Sequence, residues 1–158
     1  MNYLKILNQN EKRQIERKLE EQFGIKKVQG QIIQRGAERL FLFQGSLDEK
    51  QIKRIEYKIP IERAGVYFAK IIREKDQEKI RLSIEGTQIL KDQITKNTFE
   101  LNEEQLEQWM KGNELNIKTG KKEFLIMKYK DNLLGCGKAS AEKISNFIPK
   151  NRRLKEKS

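Results

Sequence analysis

The C-terminal part of the chain contains the side chains best suited to binding a polyanion. A short run, Gly135-Cys136-Gly137-Lys138, ends in a cation and is followed by the segment NFIPKNRRLK at residues 146–155. Residues 118–158 hold 12 Lys and Arg against 4 Asp and Glu, so they contribute +8 of the net charge of +11. Clustered cations attract a phosphate backbone, and small residues beside them let a ligand approach the main chain. This segment therefore predicts a surface that binds nucleic acid.

The candidate contacts are the basic, small and polar residues in and near this segment. They are Thr87, Gly135, Gly137, Lys138, Lys143, Asn146, Lys150, Arg152 and Arg153. The cations would contact phosphates, while Thr87 and Asn146 would discriminate the shape of the ligand. Two alternatives stay open: the glycines could be strand bends or bulges, and the cations could form a solvated basic tail.

Catalytic groups are scarce. The sequence contains no histidine, which removes the usual neutral-pH acid or base and the usual metal ligand. Cys136 could be a nucleophile, but no base partner is evident, and a free cysteine in an apolar strand is usually a small buried residue. Glu103, Glu104 and Glu107 are interpreted as an acidic helix face. We therefore expect no catalytic residue, no metal and no cofactor.

Aromatic residues offer a second way to bind nucleic acid, because bases stack on their rings. Phe147 and Tyr129 are the candidates. Since aromatics in strands more often fill a core, Phe147 is predicted to be buried, and Trp109 is predicted to pack on the barrel from an amphipathic helix.

Composition limits the class of protein. A length of 158 residues allows one domain of ordinary size or two small ones. One cysteine excludes an intramolecular disulfide, no apolar run approaches a membrane span, and the N-terminus lacks the apolar stretch of a signal peptide. We expect a basic cytoplasmic protein with no membrane partner.

The N-terminal half predicts the order helix, strand, strand, helix, strand. Asn8 and Glu11 form a capping pair for the first helix, and Gly24 ends it. Strands are predicted at residues 31–35, 38–43 and 65–72, with a helix opened by Ser46 and Glu49 between the last two. This order is typical of an α+β domain.

The polar stretch at residues 74–79 is the predicted domain boundary, with an ordinary hairpin turn as the alternative. Beyond it, residues 80–84 alternate as a strand, residues 85–87 form a turn, and Asn102 with Gln105 opens a helix ended by Gly112. Two further strands pair through a two-residue turn at Asp131 and Asn132, and residues 144–148 form the last strand. Many short strands around few helices suggest a small, partly open β-barrel.

The C-terminal half resembles a known RNA-binding domain. RLSIEGTQIL (residues 81–90), LNEEQLEQWMKGNEL (residues 101–115) and FLIMKYKDNLLGCGK (residues 124–138) are similar to the PUA domain, the barrel named after pseudouridine synthases and archaeosine transglycosylases. Residues 135–138 with residues 146–153 resemble, more narrowly, the C-terminal domain of the Sun/Fmu family of RNA 5-methylcytosine methyltransferases.

The chain also departs from that family. Those enzymes carry a separate domain for S-adenosylmethionine and cysteines that attack the base, whereas residues 1–79 have no cysteine and no Gly-x-Gly loop. The resemblance therefore implies a pre-PUA α+β domain at residues 1–77 and a PUA-like mixed β-barrel at residues 78–158. Archaeal and eukaryotic ribosome-biogenesis factors have a similar arrangement.

The resemblance implies a non-catalytic protein that binds structured RNA, either tRNA or rRNA, in ribosome biogenesis, rRNA processing or RNA modification. Two alternatives remain. The chain could be an RNA-targeting subunit acting in trans with an RNA methyltransferase, or an assembly factor that docks pre-ribosomal proteins. An exposed apolar patch on residues 40–72 would favour the docking factor.

Overall fold

The computed structural model describes residues 4–44, 50, 51, 54 and 65–155. Its elements form two sheets with three helices, an α+β fold as predicted. In chain order they are β1 (Leu4–Ile6), α1 (Gln9–Phe23), β2 (Gln31–Arg35), β3 (Arg39–Phe43), β4 (Val66–Glu74), β5 (Gln77–Leu82), α2 (Ile84–Ile89), β6 (Thr98–Glu100), α3 (Glu103–Met110), β7 (Phe124–Tyr129), β8 (Asn132–Ala139) and β9 (Ile144–Asn146). Short 3₁₀ turns occupy Lys91–Gln93 and Lys150–Arg152. Most of the helix predicted from Ser46 and Glu49 lies outside the described residues, and the three residues of it that are described, Lys50, Gln51 and Arg54, are helical.

Helix α1 begins and ends at the residues that the sequence predicted. The Asn8 side chain accepts a hydrogen bond from the Glu11 N–H, and the Glu11 side chain accepts one from the Asn8 N–H. Gly24 adopts the left-handed conformation at φ 82° that closes a helix. Between these caps, helical spacing places Ile15, Leu19 and Phe23 on the buried face.

The first five strands form an antiparallel sheet in the order β1-β2-β3-β4-β5. Its β5 edge is covered by α1 through one side chain. Gln22 Nε2 donates to the Ile80 carbonyl at 2.9 Å, and the Ile80 N–H donates to Gln22 Oε1 at 2.8 Å. A side-chain amide thus takes the place of a neighbouring strand at this position, which satisfies two backbone groups at a sheet edge.

The polar stretch at residues 74–79 forms the tip of the β4–β5 hairpin, the alternative that the sequence left open. Glu74 pairs with Gln77, and Lys75 takes a positive φ of 53° in the turn between them. Strand β5 consequently belongs to the first sheet. The division into residues 1–77 and 78–158 stays a prediction.

Residues 85–87, predicted as a turn, lie instead in helix α2. Ser83 caps this helix because its hydroxyl accepts a hydrogen bond from the Gly86 N–H. Gly86 is required here by close approach, since a methyl group at this position would lie 2.1 Å from the Phe68 carbonyl oxygen. The capping serine therefore ends the alternating strand pattern at Leu82, two residues earlier than predicted.

The second sheet has the order β6-β7-β8-β9, with β6 parallel to β7 and the other pairs antiparallel. This mixed sheet agrees with a PUA-like β domain. Strands β7 and β8 form the predicted hairpin, but its turn lies one residue earlier, at Lys130 and Asp131, because Tyr129 pairs with Asn132. Lys130 accepts the positive φ of 52° that the turn demands.

Three buried clusters are found in the described residues, and two of them contain most of the core. The larger joins α1 and the first sheet to Phe124, Ile126, Leu133 and Cys136 of the second sheet. The smaller surrounds Trp109, which is fully buried as predicted, and includes Ile84, Leu101 and Ile148. Because the larger cluster draws on both sheets, the sheets share a hydrophobic core.

Candidate nucleic-acid interface

Lys138 ends the glycine-bearing part of β8 and lies between a carboxylate and an aromatic ring. Its Nζ is 3.0 Å from Glu74 Oε2 and 4.6 Å from the centroid of the Phe124 ring. The strand register explains the second contact, because Lys138 pairs with Phe124 across β7 and β8. The ion pair links the β4–β5 hairpin to the second sheet.

Phe147 lies on the surface, which corrects the expectation that it fills the core. Strand β9 ends at Asn146, and the side chain that enters the core after it is Ile148, at 3% exposure. The Phe147 side chain is 37% exposed, and its ring centroid lies 6.2 Å from that of Phe124. The Arg81 guanidinium carbon lies 4.3 Å from the same centroid, within the range of a cation–π contact.

Arg81, Phe124, Lys138 and Phe147 form what we call the basic–aromatic face. It crosses from β5 of the first sheet to β7, β8 and the loop after β9 of the second. The exposed Phe147 ring and the cations over the two rings combine charge with flat apolar surface, while Phe124, at 4% exposure, supports Phe147 from the core. Both components are what single-stranded nucleic acid requires of a binding surface.

A depression flanks this face on each side. One is a cavity of about 100 Å³ whose lining includes Arg81, Phe147, Leu134, Pro149 and Arg152. The other is a groove of about 320 Å³ whose lining includes Lys79, Lys122 and Lys138 together with Glu21 and Glu123. The groove thus has charges of both signs in its lining, and one of its three lysines, Lys138, is paired with Glu74.

The 3₁₀ turn Lys150–Arg152 extends the cationic surface beyond the cavity. Arg152 forms an ion pair with Glu85 at the start of α2, and its side chain remains 45% exposed. Lys150 is exposed and forms no ion pair with the described residues. Both cations therefore remain accessible to a phosphate, although Arg152 would exchange one anion for another.

Arg153 and Asn146 are held by the protein itself. Arg153 Nε donates to the Ile148 carbonyl at 2.8 Å, and its side chain covers Gly112, where a methyl group would lie 2.4 Å from Nε. Asn146 Nδ2 donates to the carbonyls of Trp109 and Asn113 at 2.8 and 3.0 Å. Both side chains attach the C-terminal segment to the end of α3, and a contact with RNA stays a prediction for each.

Thr87, Gly135 and Gly137 lie beneath the surface. Thr87 is fully buried, donates from Oγ1 to the Ile84 carbonyl at 2.7 Å and accepts from the Gly135 N–H at 3.3 Å. Gly135 has a φ of 81°, which favours glycine. It also lines the cavity beside Phe147, whereas Gly137 is enclosed by other side chains. These residues shape the surface from below, and their contact with RNA stays a prediction.

Lys143 is held by an ion pair of its own. It lies in the loop between β8 and β9, where its Nζ is 2.5 Å from Glu114 Oε2. The structure thus places Lys138 over Phe124 and Arg152 with Phe147 in the lining of the cavity, whereas Lys143 is paired with Glu114.

Cys136 has the environment of a packing residue, as the sequence favoured. Its side chain is buried, and Sγ accepts a hydrogen bond from the Leu82 N–H at 3.4 Å. Burial raises the pKa of the Cys136 thiol to about 12, so the nucleophilic thiolate is strongly disfavoured at neutral pH.

The described part of the chain contains neither a candidate metal site nor a membrane-spanning helix. Within it, no group of three or more His, Cys, Asp or Glu residues is placed to hold a metal ion. Nor does any helix there have the length and apolar character needed to cross a membrane.

Sequence reasoning missed Arg81, Lys79, Lys122 and Phe124 as parts of the site. A signal existed for two of them, because strand alternation places Lys79 and Arg81 on the face of β5 opposite the buried Ile80 and Leu82. Their proximity to residues 138 and 147 depends on how the sheets pack, which the local pattern does not encode.

A comparison with known protein families locates one domain. Residues 96–154 match the family model described as "Methyltransferase RsmF PUA domain". The match begins just before β6 and ends in the C-terminal tail. It confirms the resemblance predicted from residues 81–153 and leaves residues 81–90 of that prediction outside the matched range. A PUA domain suggests RNA binding. Arg81 and Lys79 lie outside the matched residues, so the basic–aromatic face joins the PUA domain to the preceding sheet. No curated protein matches the chain.

Proposed function

We propose that this protein binds structured RNA, either tRNA or rRNA, without catalysing a reaction on it. The single observation that carries the proposal is the basic–aromatic face, where Arg81 and Lys138 lie over the rings of Phe147 and Phe124 within and beside a PUA domain. Lys150 and Arg152 continue the same surface, so a phosphate backbone could follow it. Ribosome biogenesis or RNA modification is the cellular process that we propose for it.

Salt dependence tests this proposal directly. Each phosphate contact contributes about −0.7 to −0.9 to the slope of log affinity against log salt concentration. A triple variant with Lys138, Lys150 and Arg152 changed to Ala should therefore flatten the slope for a tRNA mixture by about two units. We expect affinity to fall across different RNA sequences, because phosphate contacts carry no sequence information.

The matched control removes three exposed cations from the opposite part of the chain. Arg13, Lys26 and Lys27 lie on or just after α1, are exposed, and do not line the groove that contains Lys79 and Lys138. Their change to Ala alters net charge by the same amount. Equal losses of RNA affinity in both triple variants would contradict the proposed surface, and a greater loss in the α1 variant would place the RNA there.

The non-catalytic part of the proposal has its own measurement. Calorimetric titration with S-adenosylmethionine should give no saturable heat, because residues 1–79 have no Gly-x-Gly cofactor loop and the sequence has no histidine. Saturable micromolar binding of that cofactor would contradict a purely RNA-binding role.

A second candidate function is that of an RNA-targeting subunit for a methyltransferase acting in trans. One finding favours it, namely that the matched family is a methyltransferase's PUA domain. Affinity capture of the tagged protein, followed by an assay for methyl transfer to RNA, would detect such a partner. The docking-factor alternative has less support: among the described residues of the range 40–72, Val66 is the large apolar residue recorded as exposed, at 39%.

A further inference from the structure

The strongest unexplained feature of the surface is the exposed ring of Phe147. Burying an aromatic side chain is favourable, yet this ring remains 37% exposed beside a cavity of about 100 Å³. One side of the ring contacts Phe124, and the Arg81 guanidinium lies over it. The ring and the guanidinium therefore lie together in the lining of the cavity.

We propose that the Arg81–Phe147 pair is a stacking site for one unpaired base of the RNA. This inference rests on the proposed function and names the part of the RNA that the site takes. An unstacked base presents a flat π surface, which binds to an aromatic ring or to the plane of an arginine guanidinium. A base stacks either on the guanidinium, extending the pair, or on the ring after the guanidinium swings aside.

The cavity is too small to enclose a ligand, so we expect a base to lie across its mouth. Its volume of about 100 Å³ is below the roughly 300–1,000 Å³ typical of small-molecule sites. Leu134, Ile148 and Pro149 supply apolar lining, while Arg152 and Glu85 supply charge at the rim. The edge of a base at this position would meet both apolar surface and a charged hydrogen-bonding group.

The cations around the pair are placed for the phosphates on either side of that base. Lys138 lies over Phe124, whose ring contacts Phe147, and Arg152 lines the cavity on the other side. A nucleotide stacked on Phe147 would therefore have a cation in the direction of each neighbouring phosphate. This arrangement selects a single-stranded or bulged position, since a paired base offers no free face.

Tyr129 with Lys130 provides an internal control for the same chemistry. The Lys130 Nζ lies 5.3 Å from the centroid of the Tyr129 ring, so this pair is also a cation over an aromatic ring. It occupies the tip of the β7–β8 hairpin, next to Asp131. Both sites thus have a cation over an aromatic ring. The proposed site differs in having the adjacent cavity and the flanking cations.

The experiment compares two probes and three variants. One probe is a 12-nucleotide single-stranded oligoadenylate, and the other is an abasic phosphodiester oligomer with the same number of phosphates. Phe147→Leu keeps apolar volume but removes the ring, Arg81→Lys keeps the charge but removes the plane, and Tyr129→Leu is the control. Stacking is worth a factor of about 5 to 150 per base, so Phe147→Leu should weaken oligoadenylate binding by that factor.

The same variant should leave binding of the abasic oligomer unchanged, and Arg81→Lys should show a smaller loss confined to the base-containing probe. Tyr129→Leu should bind both probes as the wild type does. Equal affinity of wild type and Phe147→Leu for oligoadenylate would contradict the stacking site. The proposed RNA surface would still hold in that case if the triple cation variant lost affinity for tRNA. If the wild-type protein binds neither probe and does not bind tRNA, the proposed function itself is contradicted.

A fluorescence variant keeps the test independent of how well Phe147→Leu folds. Trp109 is the single tryptophan and is fully buried, so Phe147→Trp adds one exposed indole. Oligoadenylate should quench this added emission, and the abasic oligomer should not. Quenching by both oligomers to the same extent, or by neither, would contradict base stacking.

Discussion

Trp109 lies directly against Gly137, so that a methyl group on this glycine would come within 2.8 Å of Trp109 Cη2. Ile144 Cγ2 would be 2.5 Å away on another side. The sequence suggested that this glycine opens the main chain to a ribose-phosphate. The structure shows a different reason for it, which is that α3 can pack on β8 only where the strand has no side chain.

Gly137→Ala should therefore destabilise the protein by about 1–3 kcal/mol through overpacking. Urea unfolding measures this loss, and RNA affinity of the folded protein should change little. The matched comparison uses Trp109→Phe, whose smaller ring leaves room for the methyl group. Gly137→Ala should cost less in that background, and an equal cost in both backgrounds would mean that the Trp109 contact is not the cause.

Cys136 should be inert as a nucleophile and sensitive to pH as a packing residue. Burial raises the pKa of its thiol from 9.0 to about 12, although the Leu82 N–H and the Arg81 charge act in the opposite direction. The folded protein keeps a proton that the unfolded chain releases above pH 9. The stability due to this difference is thus complete below pH 9 and is lost progressively as the pH rises toward 12.

The comparison of wild type with Cys136→Ala isolates that effect. At pH 7 the free energy of unfolding of the variant should be lower than that of the wild type by about 1–3 kcal/mol. This difference should decrease between about pH 9 and pH 10.5, where the wild type loses stability. RNA affinity should be retained by Cys136→Ser. Rapid modification of the native thiol by a disulfide reagent, at the rate of the unfolded chain, would contradict a buried site.

Local patterns predicted the elements whose ends are fixed by local chemistry. The capping pairs at Asn8 and Asn102 located α1 and α3, and the alternation that begins at Ile80 located the second half of β5. Strands β1 and β6 have three residues each, too few for a periodic pattern to be recognised. They exist because neighbouring strands pair with them.

The site was harder to predict than the fold because it depends on contacts distant in sequence. The basic tail and Lys138 were visible as a cluster of charge. The contact of Arg81 with Phe147 joins residues of different sheets, and the burial of Thr87 depends on α2 packing against β8. Neither relation follows from spacing along the chain, so the sequence identified the cations and missed the aromatic surface between them.

The predicted division at residues 77 and 78 can be tested with fragments. Strand β5 pairs with β4 from Ala69↔Leu82 to Glu74↔Gln77, and Gln22 binds both polar backbone groups of Ile80. A fragment of residues 78–158 would separate β5 from all of these partners. We therefore expect collapsed amide resonances for the fragment alone and recovery of dispersion when residues 1–77 are added. A dispersed spectrum from the isolated fragment would instead support two independent domains.

Two glutamates should limit RNA affinity because they form ion pairs with cations of the interface. Glu74 lies 3.0 Å from Lys138, and Glu85 pairs with Arg152. A phosphate that approaches either cation must displace the carboxylate and is repelled by it. Because exposed ion pairs contribute about 0–1 kcal/mol, Glu74→Gln and Glu85→Gln should each raise RNA affinity by up to about fivefold at low salt. The gain should shrink as salt is added, since added ions screen the repulsion.

Glu107→Gln is the matched control, because Glu107 also pairs with a lysine, Lys111 at 3.2 Å, but lies on α3 away from the basic–aromatic face. Equilibrium titrations of tRNA at about 50 and 200 mM salt compare the three variants. An equal gain in all three would mean that net charge, and not release of Lys138 or Arg152, controls the affinity.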